Sequence, residues 1–248
     1  MSGVSDQQYE LVVSPRAKRA SLRVVPGRGL VVTIPKRFPR KSVAELLASQ
    51  RQWIETSLAE VRAQTPACFL EWPPRQLHLS AMGTNLEFIY PNEDLGGDDC
   101  FISGATVACT TPAANQLTVL ASTDDKPAVA KEISTQLKRM ARHFLTPRLA
   151  SHAQLHGKTY AKASIRGQRT VWGSYSSSGT LSLNYKLLFL RPELVDYVLL
   201  HELAHTVHLD HSEQFWRLLS SMNVNARALD KELRRSGRLV PPWLEVKS

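Results

Sequence analysis

The sequence predicts an α+β fold in which a β-rich N-terminal region with one long helix precedes a helical domain with a small β-sheet. Three observations predict this class. Short β-rich runs, separated by turn residues, fill the first part of the chain up to Ile34. A helical apolar stripe follows between Ser42 and Val61. A second apolar helix is predicted to begin near Pro192, because proline is favoured in the first turn of a helix.

The N-terminal segment, residues 1–66, combines a basic β-hairpin with that long helix. Its predicted strands are Tyr9–Val13, Ala20–Val25 and Leu30–Ile34. Pro26 and Gly27 mark a turn between the second and third strands. Ser42 and Glu45 have the spacing of a capping box, which predicts the start of the helix. We expect this segment to end near Pro66.

The remainder of the chain divides into a β-rich middle segment, residues 67–125, and a C-terminal core, residues 126–248. Strands are predicted in the middle segment at Gln76–Leu79, Asn85–Tyr90, Ala105–Thr110 and Gln116–Ala121, with an exposed loop at Asn92–Asp99. The core is predicted to begin with a helix near Pro127, which Pro147 should kink or divide. Two strands, Ala163–Val171 and Leu181–Leu190, should then precede the helix at Pro192.

Composition excludes several classes of protein. The chain has 248 residues and three cysteines, Cys68, Cys100 and Cys109, with no Cys-x-x-Cys pair. This usage argues against a disulfide framework and against a cysteine metal site, and it predicts a reducing, cytoplasmic location. No apolar run approaches the roughly 20 residues of a membrane helix, so no membrane partner is expected. The first residues lack a signal-peptide pattern, so export is not expected.

The charge is positive overall and unevenly distributed. The formal net charge is +9. The N-terminal segment carries a run of basic residues: Arg16, Lys18, Arg19, Arg23, Arg28, Lys36, Arg37, Arg40 and Lys41. Acidic residues are concentrated in the middle segment. Such a pattern is typical of an ordinary solvated surface and also of a nucleic-acid-binding surface. Nucleic acid therefore stays an alternative partner, although the sequence contains no recognised nucleic-acid-binding motif.

The chemistry is concentrated in one His-Glu-x-x-His motif, formed by His201, Glu202 and His205 on the helix that begins near Pro192. At 100° per residue, the two histidines lie on one helical face and one turn apart, so both imidazoles can reach the same ion. Glu202 is rotated about 100° from His201 and lies beside that face. An apolar helix is a costly place for two histidines and a glutamate without a metal. The motif therefore predicts a zinc site.

Two histidines are candidates for the third ligand that a catalytic zinc needs. His208 shares the helical face, but it lies about 10 Å from His201 along a straight helix. His211 can face the ion if the helix ends near Leu209 and a new helix begins with Asp210 as its cap. The predicted ligands of Zn²⁺ are therefore His201, His205 and His211, with Glu202 as general base for a zinc-bound water. His208, His78, His143, His152 and His156 are interpreted as structural or solvent-facing.

The segments around this motif resemble the YgjP-like metallopeptidases, which are relatives of the SprT-like and WLM proteases. The resemblance covers about residues 130–240. It rests on Ile165–Ser174 with its Trp-Gly-Ser, on Leu181–Tyr185, on Asp196-Tyr197-Val198, on His-Glu-Leu-Ala-His, and on His211-Ser-x-x-Phe-Trp. Two positions depart from the family pattern: Tyr175 stands where the family usually has cysteine, and Val171 stands where it often has arginine.

The resemblance implies a zinc peptidase with a gluzincin-like zinc helix. It implies the same ligands and the same catalytic glutamate, with an edge strand of the sheet beside the zinc helix. A peptide or protein is the implied substrate, whereas the oligomeric state is left open. Two other functions stay open: a nucleic-acid-associated protease and a non-catalytic zinc module. The adjacent Glu202 argues against the zinc module, since a structural zinc site is closed by four ligands. The aromatic residues Trp172, Phe215 and Trp216 are interpreted as core anchors.

Overall fold

The computed structural model describes residues 9–91, 115–234 and 236–245. These residues form two compact units. One contains residues 9–70 together with Pro241–Trp243, and the other contains residues 71–240 and 244–245. The predicted strand at Ala105–Thr110 and the predicted loop at Asn92–Asp99 lie outside the described residues. The predicted division into segments 1–66, 67–125 and 126–248 stays a prediction. In the described parts, the mixture of helices and small sheets confirms the α+β class.

The first unit is a three-stranded sheet covered by helices. The strands are β1 (Tyr9–Ser14), β2 (Ser21–Val25) and β3 (Gly29–Pro35), in the order β1-β3-β2. Strand β3 is parallel to β1 and antiparallel to β2. Alternate β3 residues Leu30, Val32 and Ile34 share one buried cluster with Val43 and Ile54 of the helices. The three strands predicted from sequence are confirmed to within a residue or two at their ends.

The single long helix predicted after Ser42 is wrong. The structure has two helices, α1 (Ser42–Ser49) and α2 (Arg51–Gln64). At the break, the Ser49 hydroxyl donates to the Leu46 carbonyl, and the Gln50 N–H donates to Leu47 three residues back. These local bonds compete with the i→i−4 helical bonds and tighten the last turn of α1. The apolar stripe continues across the break, which explains why periodicity alone predicts one helix.

The second unit contains two further three-stranded sheets and the larger helices. Strands β4 (Gln76–Leu79), β5 (Thr84–Ile89) and β6 (Gln116–Thr118) form one sheet in that order. The other sheet contains β7 (Lys162–Arg166), β8 (Gly173–Tyr175) and β9 (Thr180–Asn184), in the order β7-β9-β8. Strand β8 pairs antiparallel with β9 and forms an edge of this sheet.

Three predicted strands of this unit are too long. Gln116–Ala121 shortens to β6, which ends at Thr118. Ala163–Val171 shortens to β7, which ends at Arg166. Leu181–Leu190 shortens to β9, and a 3-10 helix over Tyr185–Phe189 replaces its second half. The Asn184 side chain caps this turn by accepting from the Lys186 N–H. The alternation of apolar and polar residues continues from Leu181 through Lys186, so the sequence pattern does not reveal the change in backbone conformation after Asn184.

Helix α3 (Lys126–Leu155) is the longest helix among the described residues. Asp125 caps its first turn by accepting from the Ala128 N–H, as the sequence predicts for this position. Pro147 lies inside the helix and does not divide it. The buried face repeats every three or four residues, as in Ile133 and Leu137, and packs this helix into the core of the unit.

Helix α4 (Pro192–Ala204) is the centre of the second unit. It begins at Pro192 as predicted, and residues on all of its sides are buried. A helix that is apolar on all sides belongs in a core. Helices α5 (Glu213–Met222) and α6 (Ala226–Leu233) both pack against it. Within the described ranges, no helix is long and apolar enough to cross a lipid bilayer.

A polar cluster joins α3 to α4. Asp196 accepts from Nε and Nη2 of Arg148 at 2.5 and 2.8 Å, and its Oδ1 lies 2.8 Å from Nε2 of His152. Burial by itself would raise the pKa of Asp196, but the hydrogen bonds from His152 and Arg148 outweigh burial and lower that pKa to about 2. The ionised carboxylate therefore fixes the first turns of α4 against α3.

We predict that Asp196→Asn destabilises the protein in a pH-dependent way. The folded-state pKa of Asp196 is below its unfolded value of about 4, so its stabilisation is complete above about pH 4 and disappears as the pH falls through about 2. The variant should lose about 2 kcal/mol of unfolding free energy at pH 7. Urea titrations between pH 7 and pH 2 measure this loss. A difference from wild type that stays constant down to pH 2 would contradict the assignment.

Candidate metal centre

Helix α4 brings His201 and His205 together in its last turn. The two Nε2 atoms are 3.2 Å apart, as the i and i+4 spacing predicts for two side chains on one helical face. His201 is half-buried, and His205 directly follows Ala204, the last residue of the helix. Both imidazoles point to the same side of the helix end, so two of the predicted ligand atoms are adjacent.

His211 reaches the same point from the turn that follows the helix. Its Nε2 lies 3.0 Å from Nε2 of His201, and the ligand nitrogens of the three histidines all lie within 4.8 Å of one another. The structure thus brings together the three histidines that the sequence singles out. In the described part of the chain, no fourth histidine, cysteine, aspartate or glutamate joins this cluster.

The predicted turn between the histidines is wrong in detail. Helix α4 ends at Ala204 rather than near Leu209. The next helix is capped by Ser212, whose hydroxyl accepts from the Phe215 N–H, and not by Asp210. Asp210 instead accepts from the Ser212 N–H within the turn. His211 therefore precedes α5 in an irregular segment. The conformation of this turn, and not helix geometry, determines where the His211 side chain points.

The hydrogen bonds at the other ring nitrogens determine which nitrogen faces the cluster. Nδ1 of His205 lies 2.9 Å from the backbone carbonyl of His208. A carbonyl can only accept, so this Nδ1 carries the hydrogen and Nε2 presents a lone pair. The side chain of His208 is not part of the cluster. The sequence interpretation of His208 as a non-ligand agrees with this position, and its contribution is its carbonyl.

The donor set fits a divalent transition-metal ion. Two zinc ligands at about 2.05 Å and tetrahedral angles would be about 3.3 Å apart. The observed separations of 3.2 and 3.0 Å are close to that value. Burial, followed by the neighbouring His205 and His211, lowers the pKa of His201 to about 4, and burial also lowers the pKa of His205. These two imidazoles are therefore neutral at pH 7, as metal ligands must be.

Phe215 packs under the cluster. Its ring centroid lies 5.0 Å from that of His201, 4.6 Å from that of His205 and 4.8 Å from that of His211, and its side chain is fully buried. The first turn of α5 thus supplies an apolar support for all three imidazoles. This position agrees with the interpretation of Phe215 as a core anchor, whereas Trp172 lines the neighbouring cavity.

Glu202 lies beside the cluster in an unusual environment. Its side chain is buried, and its Oε2 has no hydrogen-bond partner among the described residues. Burial raises the pKa of Glu202 to about 8. A positive charge placed next to such a carboxyl would lower that pKa again. The carboxyl group of Glu202 therefore lacks both a neighbouring positive charge and a hydrogen-bond donor. A metal ion held by the three histidines and a water molecule beside it would supply them.

Gly173 gives Glu202 its space. A Cβ at position 173 would lie 2.6 Å from Oε1 and 2.7 Å from Cγ of Glu202, closer than real side-chain contacts. The edge strand β8 thus passes directly over the glutamate. This contact provides a steric reason for glycine in the Trp-Gly-Ser sequence at this place in the fold.

A cavity of about 420 Å³ opens over the histidines and Glu202. Its walls are the edge strand, the end of α4 and part of α6. The lining residues are Thr170, Val171, Trp172, Gly173, Ser174, Tyr175, Tyr197, Val198, His201, Glu202, His205, Leu209, His211, Asp230 and Leu233. Val171 and Tyr175, the two departures from the family pattern, are among them. Differences at these positions therefore change the cavity wall and leave the metal cluster as it is.

Sequence reasoning missed three residues of this site. Tyr197 is four residues before His201, and that helical spacing was a signal that could have identified it. Gly173 stands out in the sequence only as part of the Trp-Gly-Ser motif, which does not reveal its contact with Glu202. Asp230 is brought in by α6 from 29 positions further along the chain than His201, and no local pattern marks it.

Comparisons with known proteins give partial structural matches. No curated protein matches the chain. Among solved structures, the zymogen of the metallopeptidase abylysin from Pyrococcus abyssi is 24% identical with a TM-score of 0.34, over 37% of this chain and 93% of that one. The zymogen of jannalysin from Methanocaldococcus jannaschii is 18% identical with a TM-score of 0.34, over 37% of this chain and 95% of that one.

A family comparison covers most of the sequence. The model of the YgjP-like metallopeptidase domain matches residues 18–236. The matched range includes the histidine cluster, Glu202, the edge strand β8 and α6, and so contains every residue of the site described above. A metallopeptidase hydrolyses peptide bonds with the help of a metal ion, and a histidine cluster of this kind is compatible with such an ion. The chain belongs to the YgjP-like metallopeptidase family.

Proposed function

We propose that the protein is a zinc-dependent peptidase with a gluzincin-like zinc helix, whose catalytic core is the segment 126–248. His201, His205 and His211 hold Zn²⁺, and Glu202 is the general base. The observation that carries the proposal is the convergence of three imidazole Nε2 atoms next to a buried carboxyl group without a hydrogen-bond partner. Three imidazole nitrogens and one carboxyl group beside them are the groups that a catalytic zinc site uses.

The count of ligands favours catalysis over a purely structural metal. Structural zinc is closed by four protein ligands, whereas catalytic zinc keeps one position open. The cluster has three ligands among the described residues, and its free side faces the cavity. When bound, zinc supplies a Lewis acid that polarises a carbonyl and lowers the pKa of a water molecule to about 7.

Glu202 has the position for proton transfer. Its carboxylate accepts a proton from the attacking water and returns it to the nitrogen of the departing amine. Burial holds the side chain without competing hydrogen bonds, so the carboxylate is available to the water. Gly173 leaves space for the side chain in this orientation.

The edge strand offers a place for an extended peptide. Strand β8 pairs on one side with β9, and its residues Gly173, Ser174 and Tyr175 line the cavity. A peptide that adds to a free strand edge gains main-chain hydrogen bonds whatever its sequence. The substrate is therefore an unfolded segment of a peptide or protein, which supports peptide-bond hydrolysis at the adjacent histidines.

We predict that Glu202→Gln abolishes most of the peptidase activity and leaves zinc bound. Glutamine preserves the shape but cannot accept the proton, so kcat should fall by about 10²–10⁴-fold. Activity on unstructured peptides and the zinc content of the purified protein are measured together. Glu213→Gln is the matched control, because Glu213 is exposed and forms a surface ion pair with Arg217. Full activity in zinc-loaded Glu202→Gln would disprove the role of Glu202.

We further predict that His211→Ala and His208→Ala differ in zinc affinity. Removing His211 takes away one of three ligands and should weaken zinc binding by more than ~100-fold, beyond the usual effect of a residue that only supports a ligand. His208→Ala keeps the carbonyl that fixes His205, so its affinity should stay within about threefold of wild type. Zinc titration against a competing chelator ranks the two variants. The reverse ranking would rule out His211 as a ligand.

We also propose a second function, binding of nucleic acid, for which the first unit provides a specific observation. Strand pairing brings Ser14 next to Pro35 and Ser21 next to Thr33. The loops 15–20 and 36–41, here called the two basic loops, therefore leave the same end of the sheet. All their charged residues are basic and exposed: Arg16, Lys18, Arg19, Lys36, Arg37, Arg40 and Lys41.

The chemistry of these loops favours phosphates over lipid. Within the described residues, no ion pair links a side chain of these loops to a carboxylate, so the charges are available to a partner. Phe38 packs against the core of the unit, and the loops expose no other large apolar side chain that could enter a bilayer. A polyanionic backbone such as that of duplex DNA or RNA fits a surface of this kind.

We predict that this affinity depends on salt and on the two basic loops. Replacing Arg16, Lys18 and Arg19 together by glutamine should reduce the slope of log K against log salt for a short duplex by about 2 to 3. Replacing Lys131, Arg139 and Arg142, which are exposed on α3, is the control and should have little effect. Fluorescence anisotropy measures both. If the protein does not bind the duplex at low salt, this candidate function is excluded. It is also excluded if the protein binds anionic vesicles and not the duplex.

A further inference from the structure

Tyr197 connects His201 to a different helix. It lies one turn before His201 on α4, and its hydroxyl oxygen is 3.3 Å from Nδ1 of that histidine. The same hydroxyl is 3.1 Å from Oδ1 of Asp230, which belongs to α6. The side chain of Tyr197 is almost fully buried, whereas Asp230 is partly exposed at the wall of the cavity.

The chemistry of the three groups fixes the direction of each hydrogen bond. An ionised aspartate can only accept, so the tyrosine O–H donates to Asp230. The oxygen of Tyr197 then accepts a hydrogen from Nδ1 of His201. His201 is thereby held with Nδ1 protonated and with the lone pair of Nε2 directed at the other two histidines.

Asp230 is itself held in place on its other side. Nε and Nη2 of Arg234 donate to Oδ2 at 3.0 and 2.8 Å, one helical turn further along the chain. This pair leaves Oδ1 for Tyr197. The arrangement thus runs from α6 to α4 in a fixed sequence of Arg234, Asp230, Tyr197 and His201.

The three ligands differ in what orients them. Nδ1 of His205 contacts the backbone carbonyl of His208, which a substitution of the His208 side chain does not remove. His201 depends instead on side chains supplied by two helices. We propose that Tyr197 and Asp230 are positioning residues that hold His201 in the tautomer and orientation required for metal binding. This inference rests on the proposed role of His201 as a metal ligand.

A double-mutant cycle tests the connection. Tyr197→Phe removes only the hydroxyl, and Asp230→Asn keeps the shape of the acceptor while removing its charge. Each change should weaken Zn²⁺ binding about tenfold, the lower end of the range for groups that orient a ligand. The double variant should bind about as well as either single variant, because both residues act through one hydrogen bond. Tyr160→Phe is the matched control, because Tyr160 is half-buried just before β7 and lines neither the histidine cluster nor the cavity; it should bind zinc as wild type does.

Two further measurements separate positioning from other roles. The ¹⁵N NMR spectrum of the metal-free protein reports the tautomer of His201, which should be Nδ1–H in wild type and mixed in Tyr197→Phe. Activity in excess Zn²⁺ should recover in both single variants, since a positioning defect lowers metal occupancy. Urea unfolding of the metal-free variants checks that each is folded. If Tyr197→Phe is unfolded, Asp230→Asn alone tests the inference. The side chain of Asp230 is partly exposed, so we expect this variant to fold.

Three outcomes would overturn the inference. Unchanged zinc affinity with lost activity in Tyr197→Phe would mean that the hydroxyl contacts substrate. Additive losses in the double variant would mean that the two residues act independently. An unchanged tautomer of His201 would mean that something else orients the ring. A wild-type protein that binds no zinc would instead contradict the proposed function, and the tautomer measurement would still test the hydrogen-bond chain.

Discussion

Three imidazole nitrogens that direct lone pairs at one point repel each other unless a positive charge lies between them, and the second unit is arranged around that constraint. The Nε2 atoms of His205 and His211 lie 3.2 and 3.0 Å from Nε2 of His201. Helix α4 is buried on all sides, Phe215 supports the rings from below, and Asp196 ties α4 to α3. Packing therefore opposes the spreading of the histidines that electrostatics alone would favour.

The early end of α4 is what allows a third histidine to join. A helix continuing to Leu209 would carry the chain away along the axis of α4. The actual helix ends at Ala204, and the turn that follows is held by the His208 carbonyl, the Asp210 carboxylate and the Ser212 cap. Local hydrogen bonds in an irregular segment thus decide the geometry of a site whose other two ligands follow from regular helix geometry.

The parts that sequence predicts are those determined by neighbours along the chain. The pairing of His201 with His205 follows from helical spacing, and the start of α4 follows from Pro192. The break at Gln50 and the 3-10 helix after Asn184 escape periodicity, because the periodic pattern of apolar residues continues through both. The contacts of Glu202 with Gly173 and of Tyr197 with Asp230 join distant segments, so only the folded chain brings them together.

The space between Gly173 and Glu202 is narrow, so the residue type at position 173 determines how the Glu202 side chain can be oriented beside the histidine cluster. Any side chain at position 173 would occupy the volume now filled by the carboxyl group, and the carboxyl would have to rotate away. A related protein could keep every histidine and the glutamate and still lack a working base if it carried alanine there. Glycine at position 173 of the edge strand is thus as much a marker of this site as the three histidines and Glu202.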